Sequence, residues 1–258
     1  MEQTFVLSQG ELKIPVVLTE PEDGDIRRLV MGVHGFGGCS RDAIQSSIAE
    51  EMDMFYAATV RFDFPAHGES ELDDSYLNLS NCLNSLTTVA RWIRERYPQV
   101  EDLCIFATGF GAYMTLICLE ELLKLPGKVK LVVQTPSVMM HETLLAMKHI
   151  TRPTLEAMGE VTFLGKRNVK VRYSFYEDLQ NNVALTTYPI PILILHSESD
   201  AYIKLEHIHN FRRINEQSKL VIIPGTSHEF MEDGGWDMVL DLTRDWFEFE
   251  QVLVTDWE

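Results

Sequence analysis

Short apolar runs rich in β-branched residues alternate along this chain with stretches that carry apolar residues at helical spacing. This alternation is typical of a mostly parallel sheet with helices on both faces, because parallel strands need long crossover connections. We predict an α/β fold with strands at 29–33, 55–62, 102–107, 130–135, 190–196 and 219–223, and helices at 41–51, 80–97, 111–124 and 235–250. Two alternating segments, 4–7 and 14–18, predict an antiparallel hairpin before the parallel strands begin.

One segment interrupts the alternation. Residues 138–188 contain a predicted helix, then an alternating and charged stretch at 161–175, but no clear strand for the main sheet. Fifty residues are too many for a plain connection between two strands. We therefore divide the chain into a first core part at 1–137, a lid insertion at 138–188 and a second core part at 189–258, with the lid covering the carboxyl edge of the sheet.

The segment 104–112 has the pattern of a strand that turns directly into a helix. Such a turn needs small residues on both sides of its tip, and here Ala107 and Gly111 flank Gly109. The small-x-nucleophile-x-small pattern is that of a nucleophile elbow. The pattern is complete except for its reactive atom, because Gly109 stands at the nucleophile position.

Two further candidates follow the next strands at the same predicted edge. Asp200 comes a few residues after strand 190–196, where a carboxylate is well placed to orient an imidazole. His228 lies in the loop that follows strand 219–223. The chain order of nucleophile position, acid and histidine is the order that hydrolases with this elbow use.

A glycine-rich loop, His34-Gly35-Phe36-Gly37-Gly38, follows strand 29–33. Glycines after a strand let the backbone approach a ligand closely. In an acyl-transfer site the N–H groups of Phe36 and Phe110 would hold a developing oxyanion, and one such donor is worth roughly 3–4 kcal/mol. The loop matches no phosphate-binding pattern, since neither GxxxxGK[ST] nor GxGxxG is present.

Together these segments resemble the α/β-hydrolase superfamily over nearly the whole chain. The stretch 63–70 adds to the resemblance, because it matches D-x-x-G-x-G-x-S with Ala66 where glycine is common. The alternating stretch 161–173 and the following residues 174–179 resemble the lid of bacterial cinnamoyl and feruloyl esterases and their acyl-peptidase-like relatives. The resemblance implies a carboxylic-ester hydrolase acting on hydroxycinnamoyl or short acyl esters, with His34, Gly35 and Thr108 contacting the substrate.

Gly109 leaves three interpretations open. The first is an ordinary esterase whose serine has been replaced, which would be inactive as it stands. The second is a natural pseudoenzyme that binds a small molecule in the old pocket. The third is a reaction without a covalent intermediate, driven by His228 as a general base. Thr108 is not expected to replace the nucleophile, because its side chain should point away from the tip of the turn.

Charge and composition narrow the ligand class. The net charge of −17 disfavours nucleic acid and anionic membranes, whose phosphates require clustered Lys and Arg. No apolar run approaches the roughly 20 residues that span a bilayer, and the first residues lack the features of a signal peptide. We expect a cytoplasmic protein with a small-molecule ester substrate or ligand. The eight histidines fall in no metal-binding pattern, so we expect neither a metal nor another cofactor.

The aromatic C-terminal stretch, Trp246 to Glu250 together with Trp257, allows two interpretations. It could pack on a partner subunit and so form a homodimer. Alternatively, it is the inner face of the last helix followed by an acidic end.

Overall fold

In residues 1–22 and 26–249, which a computed structural model describes, eight strands form one sheet. They are β1 (Glu2–Gln9), β2 (Leu12–Thr19), β3 (Arg28–Val33), β4 (Ala57–Phe62), β5 (Asp102–Thr108), β6 (Lys128–Gln134), β9 (Ile192–Ser197) and β10 (Lys219–Ile223). The order across the sheet is β1-β2-β4-β3-β5-β6-β9-β10. β1 and β2 form the predicted hairpin, β2 runs antiparallel to β4, and the remaining neighbours are parallel. The predicted mostly parallel sheet is confirmed.

Helices connect the strands. They are α1 (Ala43–Asp53), α2 (Leu79–Arg96), α3 (Gly109–Ile117), α4 (Leu119–Leu123), α5 (Met140–Lys148), α6 (Arg152–Met158), α7 (Tyr173–Asn181), α8 (Leu205–Ile214) and α9 (Gly235–Phe247). Within residues 1–22 and 26–249, none of the helices has the length and apolar character that crossing a bilayer requires.

The sheet is buried on both faces because alternate residues of its central strands pack into different clusters. On one face, Val30 and Phe106 pack with residues of α1 and α9. On the other face, Met31 and Ile105 pack with residues of α2 and α3. Side chains alternate across a strand, so a continuous apolar run is what a central strand covered on both sides requires.

The prediction of a single helix over 111–124 is wrong. α3 already begins at Gly109, and it ends before Cys118, after which α4 forms a separate short helix. The Thr115 hydroxyl donates a hydrogen bond to the carbonyl oxygen of Gly111, at 2.8 Å. A side-chain bond of this kind competes with the backbone ladder and bends helices, which is consistent with the break one turn later.

Residues 138–188, which we call the lid segment, contribute no strand to the main sheet. They form α5, α6 and α7, with a separate antiparallel hairpin of β7 (Glu160–Phe163) and β8 (Val169–Arg172) between α6 and α7. The alternating stretch in the sequence is therefore a local hairpin. Its two strands, β7 and β8, pair with each other and not with the main sheet.

The C-terminal aromatic stretch packs inward where the structure describes it. Phe247 and Phe249 are buried in the cluster beneath α9, with their ring centroids 5.8 Å apart. Trp246 is partly buried against the same cluster. Glu250 and Trp257, the rest of the predicted tail, lie outside the described residues. The described aromatic residues thus pack at the end of α9 and just after it, against the core, and a homodimer stays a prediction.

Candidate active site

The turn from β5 into α3 has the backbone geometry of a nucleophile elbow. Gly109 lies at its tip with φ of +47°, in the left-handed region that L-residues rarely adopt. A Cβ built at Gly109 would meet only the Cα of Gly35, at 3.9 Å. A Cβ at Gly111 would press into the carbonyl oxygen of His34 and lie 2.6 Å from that of Val33. The flanking glycine is therefore required by packing, whereas the tip has room for a side chain.

Gly111→Ala is expected to lower the free energy of unfolding by about 3 kcal/mol, the upper end of the usual cost of overpacking, because the obstructing atoms are backbone oxygens. Gly109→Ala is the matched control. It should cost only about 1–2 kcal/mol, for the left-handed backbone alone. Urea denaturation of both variants measures the difference. Equal losses would contradict the assignment of Gly111 as a packing requirement.

The buried side chain of His34 holds the loop that follows β3 in place. The side chain of His34 is buried; its Nδ1 lies 2.7 Å from the carbonyl oxygen of Gly35, and its Nε2 accepts the N–H of Phe64 at 3.2 Å. Both ring nitrogens are thus used within the protein, and His34 is absent from the wall of the cavity described below. We therefore correct the predicted substrate contact: His34 holds the loop, and Gly35 contacts the cavity.

The two predicted oxyanion donors belong to residues that pack against each other. The rings of Phe36 and Phe110 are 5.7 Å apart, and Phe110 also stacks on the buried His67. Phe110 is the second residue of α3, whose first N–H groups lack partners inside the helix. The N-cap residue Thr108 makes no capping hydrogen bond. The backbone N–H of Phe110 is therefore available at the positive end of the helix dipole.

The imidazole of His67, which packs against Phe36 and Phe110, is uncharged. Burial, and secondarily the neighbouring His34, lower the pKa of His67 to about 3. Its Nδ1 lies 2.9 Å from the carbonyl oxygen of Pro65. A neutral imidazole can pack between aromatic rings without the cost of a buried charge. His67 therefore supports the rings of Phe36 and Phe110.

Asp200 and His228 form a hydrogen-bonded pair. The Nδ1 of His228 lies 2.7 Å from Oδ2 of Asp200, and the Oδ1 of Asp200 accepts the N–H groups of Tyr202 and Ile203 at 2.8 and 2.9 Å. Burial opposes ionisation of Asp200, but the hydrogen bonds from His228 and the two amides outweigh it and lower the pKa. An ionised carboxylate can only accept, so Nδ1 carries the proton and Nε2 is free to act as a base.

A cavity of about 450 Å³ brings the predicted residues together. Gly109, Phe110, Phe36, Gly35 and His228 line it, and Asp200 holds His228 from behind. Much of the remaining wall is apolar and comes from α1, α9, the lid segment and a loop: Ile44, Trp236, Met140, Met147 and Met231. Within the described part of the chain, no group of three or more His, Cys, Asp or Glu side chains is arranged to hold a metal ion.

Thr108 is half-buried and is one of the residues that line the cavity. Its Oγ1 would lie 3.4 Å from a Cβ built at Gly35, so its side chain packs beside the glycine-rich loop. Its contact with a substrate stays a prediction.

Sequence reasoning missed a group of polar residues at the end of β6. Gln134, Thr135 and Ser137 all line the cavity, and the N–H of Ser137 donates to the carbonyl oxygen of Gly109 at 3.3 Å. The predicted strand 130–135 ends one residue early, because Thr135 has φ of +42°. Strained non-glycine residues cluster at functional sites. The available signal was position, since β6 ends at the same edge as β5.

The lid segment is tied to the core by Arg167, in the turn of its hairpin. The guanidinium donates to the carbonyl oxygens of Gly68, Ser70 and Leu72, the last at 3.0 Å. The ring of Phe163, at the end of β7, packs on Phe36 at 4.9 Å between centroids. The hairpin thus rests on the loop that carries one of the two predicted oxyanion donors.

Arg167→Ala is expected to accelerate amide hydrogen exchange in the hairpin 160–172 by about ten-fold. Hydrogen bonds from a charged donor contribute roughly 1.5–3 kcal/mol, and local opening of the hairpin breaks them. Arg172→Ala, an exposed position in the same hairpin, is the matched control and should leave exchange nearly unchanged. Exchange in β5 should not respond to either variant. Equal acceleration by both substitutions would exclude a specific tie at Arg167.

No family model and no curated protein matches this chain. Solved structures do match. Est1E from Butyrivibrio proteoclasticus, with ferulic acid bound, superposes with a TM-score of 0.79 at 19% identity, covering 96% of this chain and 99% of that one. Alpha/beta hydrolase domain-containing protein 10 from mouse gives 0.71 at 14% identity, covering 95% and 98%. The esterase domain of a Rhodothermus marinus protein gives 0.69 at 18%, covering 95% and 97%. The chain therefore has the α/β-hydrolase fold.

Proposed function

We propose that the cavity is the site of a carboxylic-ester hydrolase from which the nucleophile is missing, so that the chain as it stands binds small esters or acyl ligands without forming an acyl-enzyme. The observation that carries the proposal is the Asp200–His228 pair, hydrogen-bonded at 2.7 Å, on the same cavity as a left-handed elbow. A structural carboxylate–histidine pair would not need an elbow beside it.

In a serine hydrolase, the elbow hydroxyl attacks the ester carbonyl, histidine takes its proton, and two backbone N–H groups hold the oxyanion. Here Asp200 would orient His228, while Phe36 and Phe110 would supply the two N–H groups. Gly109 has no atom that can attack. The remaining groups can still bind an ester carbonyl and polarise it, which is where residual catalysis without the nucleophile comes from.

The apolar wall favours an uncharged acyl chain of modest size. Ile44, Met140, Met147 and Trp236 line the same cavity as the elbow, and methionines adapt to flat or irregular ligands. Est1E, which shares the fold, holds ferulic acid in its solved structure. We propose hydroxycinnamoyl esters as the first substrate class and short-chain acyl esters as the second.

Gly109 itself favours a second candidate, a binding protein that uses the hydrolase cavity without chemistry. Glycine relieves the strain of the left-handed tip, so a chain without selection for turnover would be stabilised by it. A third candidate, water activation by His228 alone, relies on the free Nε2 described above. His228→Ala would abolish turnover by the chain as it stands only under that third candidate.

The test is hydrolysis of p-nitrophenyl and feruloyl esters by the chain as it stands and by Gly109→Ser, measured side by side. Turnover by the serine variant alone supports the esterase site. Ligand-dependent thermal stabilisation with no turnover by either form supports the binding protein and contradicts the esterase. A fluorophosphonate probe provides an independent readout, because it labels only an activated nucleophile.

A further inference from the structure

β1 forms one end of the main sheet. Within the part of the chain that the structure describes, it pairs with β2 alone, over eight residues. An edge strand presents a row of unpaired backbone N–H and C=O groups, which can pair with another chain. β10, at the other end of the sheet, has five residues and begins at the exposed Lys219. β10 therefore has the short length and the lysine that protect an edge, whereas β1 is longer and contains no lysine.

The central part of β1, residues 3–9, is uncharged. It contains no proline or glycine, and its pairing with β2 is continuous, without a bulge. Charged residues make up 24% of the chain and its net charge is −17, so most approaches of two copies place carboxylates near each other. Glu2, the one charged residue of β1, lies 2.7 Å from Arg41 and 3.0 Å from Arg61. Residues 3–9 are thus a place where two copies can meet without like charges in opposition.

The backbone of β1 directs pairing groups to its outer edge. Pro15, the register partner of Val6, has no N–H, and its carbonyl oxygen accepts the N–H of Asp63 at 3.0 Å. The N–H and C=O of Val6 therefore point away from β2. Antiparallel partners alternate between hydrogen-bonded and non-hydrogen-bonded pairs, so the N–H and C=O groups of Thr4 and Ser8 point the same way. All three residues are exposed, as an open edge requires.

The side chains of residues 3–9 are symmetrical by chemical class about Val6. If two copies of β1 pair antiparallel about this residue, Val6 lies opposite Val6 of the second copy. Every other residue then lies opposite one of similar chemistry: Phe5 with Leu7, Thr4 with Ser8, and Gln3 with Gln9. Thr4, Val6 and Ser8 also carry the outward backbone groups, so each of their pairs can exchange two backbone hydrogen bonds. The strand is therefore complementary to itself in both its side chains and its backbone.

We propose that β1 pairs antiparallel with β1 of a second copy about a two-fold axis at Val6, which makes the chain a homodimer with one continuous sheet. The assembly closes at two copies, because both contribute the same edge and the pairing uses both edges. On one face β1 is supported by α2, where the ring of Phe5 lies 5.0 Å from that of Trp92. β2, β4 and β3 separate β1 from the elbow strand β5, so the proposal goes beyond the hydrolase site and does not rest on it.

Sedimentation velocity of the chain as it stands, from about 1 to 200 μM, tests the proposal. We expect reversible dimerisation with a Kd of about 10 μM, because one strand pair is a small interface. Val6→Lys is expected to raise this Kd at least about ten-fold, since it sets two ammonium groups opposite each other. Val6→Thr, which is uncharged and β-branched, should leave the Kd within about three-fold. Met54→Lys adds the same charge at another exposed apolar residue, outside the main sheet, and should have little effect.

A mixture of two variants tests the register. Val6→Lys and Val6→Glu should each remain largely monomeric alone, whereas an equimolar mixture should dimerise, because opposite charges then meet at position 6 of the two copies. Circular dichroism of each variant checks that it is folded. A dimer that Val6→Lys leaves intact, an equal loss from Met54→Lys, or a mixture that stays monomeric would overturn the proposal. So would a chain that is monomeric at every concentration, whose outer edge would then be left to strands of other proteins.

Discussion

Gly109→Ser is expected to raise the rate of p-nitrophenyl ester hydrolysis by about 10³-fold or more over the chain as it stands. Loss of the nucleophile costs a serine hydrolase roughly 10⁶-fold in kcat, and we expect part of this to be regained because the surrounding groups are in place. The new Cβ has room, with Gly35 Cα at 3.9 Å, and the φ of +47° is already that of an elbow. The left-handed backbone should cost only about 1–2 kcal/mol of stability.

Initial rates and fluorophosphonate labelling measure the gain. Gly109→Ala is the control for the added Cβ and should gain nothing. Combining Gly109→Ser with His228→Ala should remove the gain, because the hydroxyl then has no base to take its proton. Labelling that survives the loss of His228 would mean that the serine reacts without the pair, which contradicts the proposed site.

Within the Gly109→Ser variant, Asp200→Asn is expected to lower kcat by about 10⁴-fold, the cost of a histidine held in the wrong tautomer. The asparagine oxygen can still accept the N–H groups of Tyr202 and Ile203, so the loop should keep its shape. Its amide nitrogen would then face Nδ1 of His228 and donate to it. The histidine proton would move to Nε2, and the base would be lost.

Steady-state kinetics of the combined variant measures this effect, with the thermal unfolding midpoint as a check on folding. Glu198→Gln in the same background is the matched control. Glu198 lies in the same loop and accepts the N–H of Gly225 at 2.9 Å, but it does not contact His228. A loss from Glu198→Gln as large as that from Asp200→Asn would reassign the acid.

The positions of Asp200, His228 and Gly109 at the ends of parallel strands allowed the centre of the site to be predicted from the sequence. Asp200 and His228 follow β9 and β10, which lie next to each other and run parallel. The carboxyl ends of parallel strands share one edge of the sheet, so distance along the chain does not separate residues that follow them. For the same reason the sequence predicts that Gly109, at the end of β5, lies at the same edge as Asp200 and His228. The small residues around Gly109 predicted the tight turn.

The error at His34 has a physical origin. Whether a loop side chain points to a ligand or into the protein depends on partners from other segments, here the N–H of Phe64 for His34. The polar residues Gln134, Thr135 and Ser137 escaped notice because a strand end carries no motif. The three carbonyls that bind Arg167 likewise have no signature in the sequence.

What the sequence by itself determined is the alternation of strands and helices, the tight turn at Gly109 and the edge at which Asp200 and His228 meet. These follow from local periodicity and from the rule that parallel strands end together. Only the tertiary structure decided which side chains line the cavity, that Gln134 lies beside the elbow, and how the hairpin of the lid segment rests on Phe36. Such contacts join residues far apart in the chain, and their geometry depends on packing that no local pattern encodes.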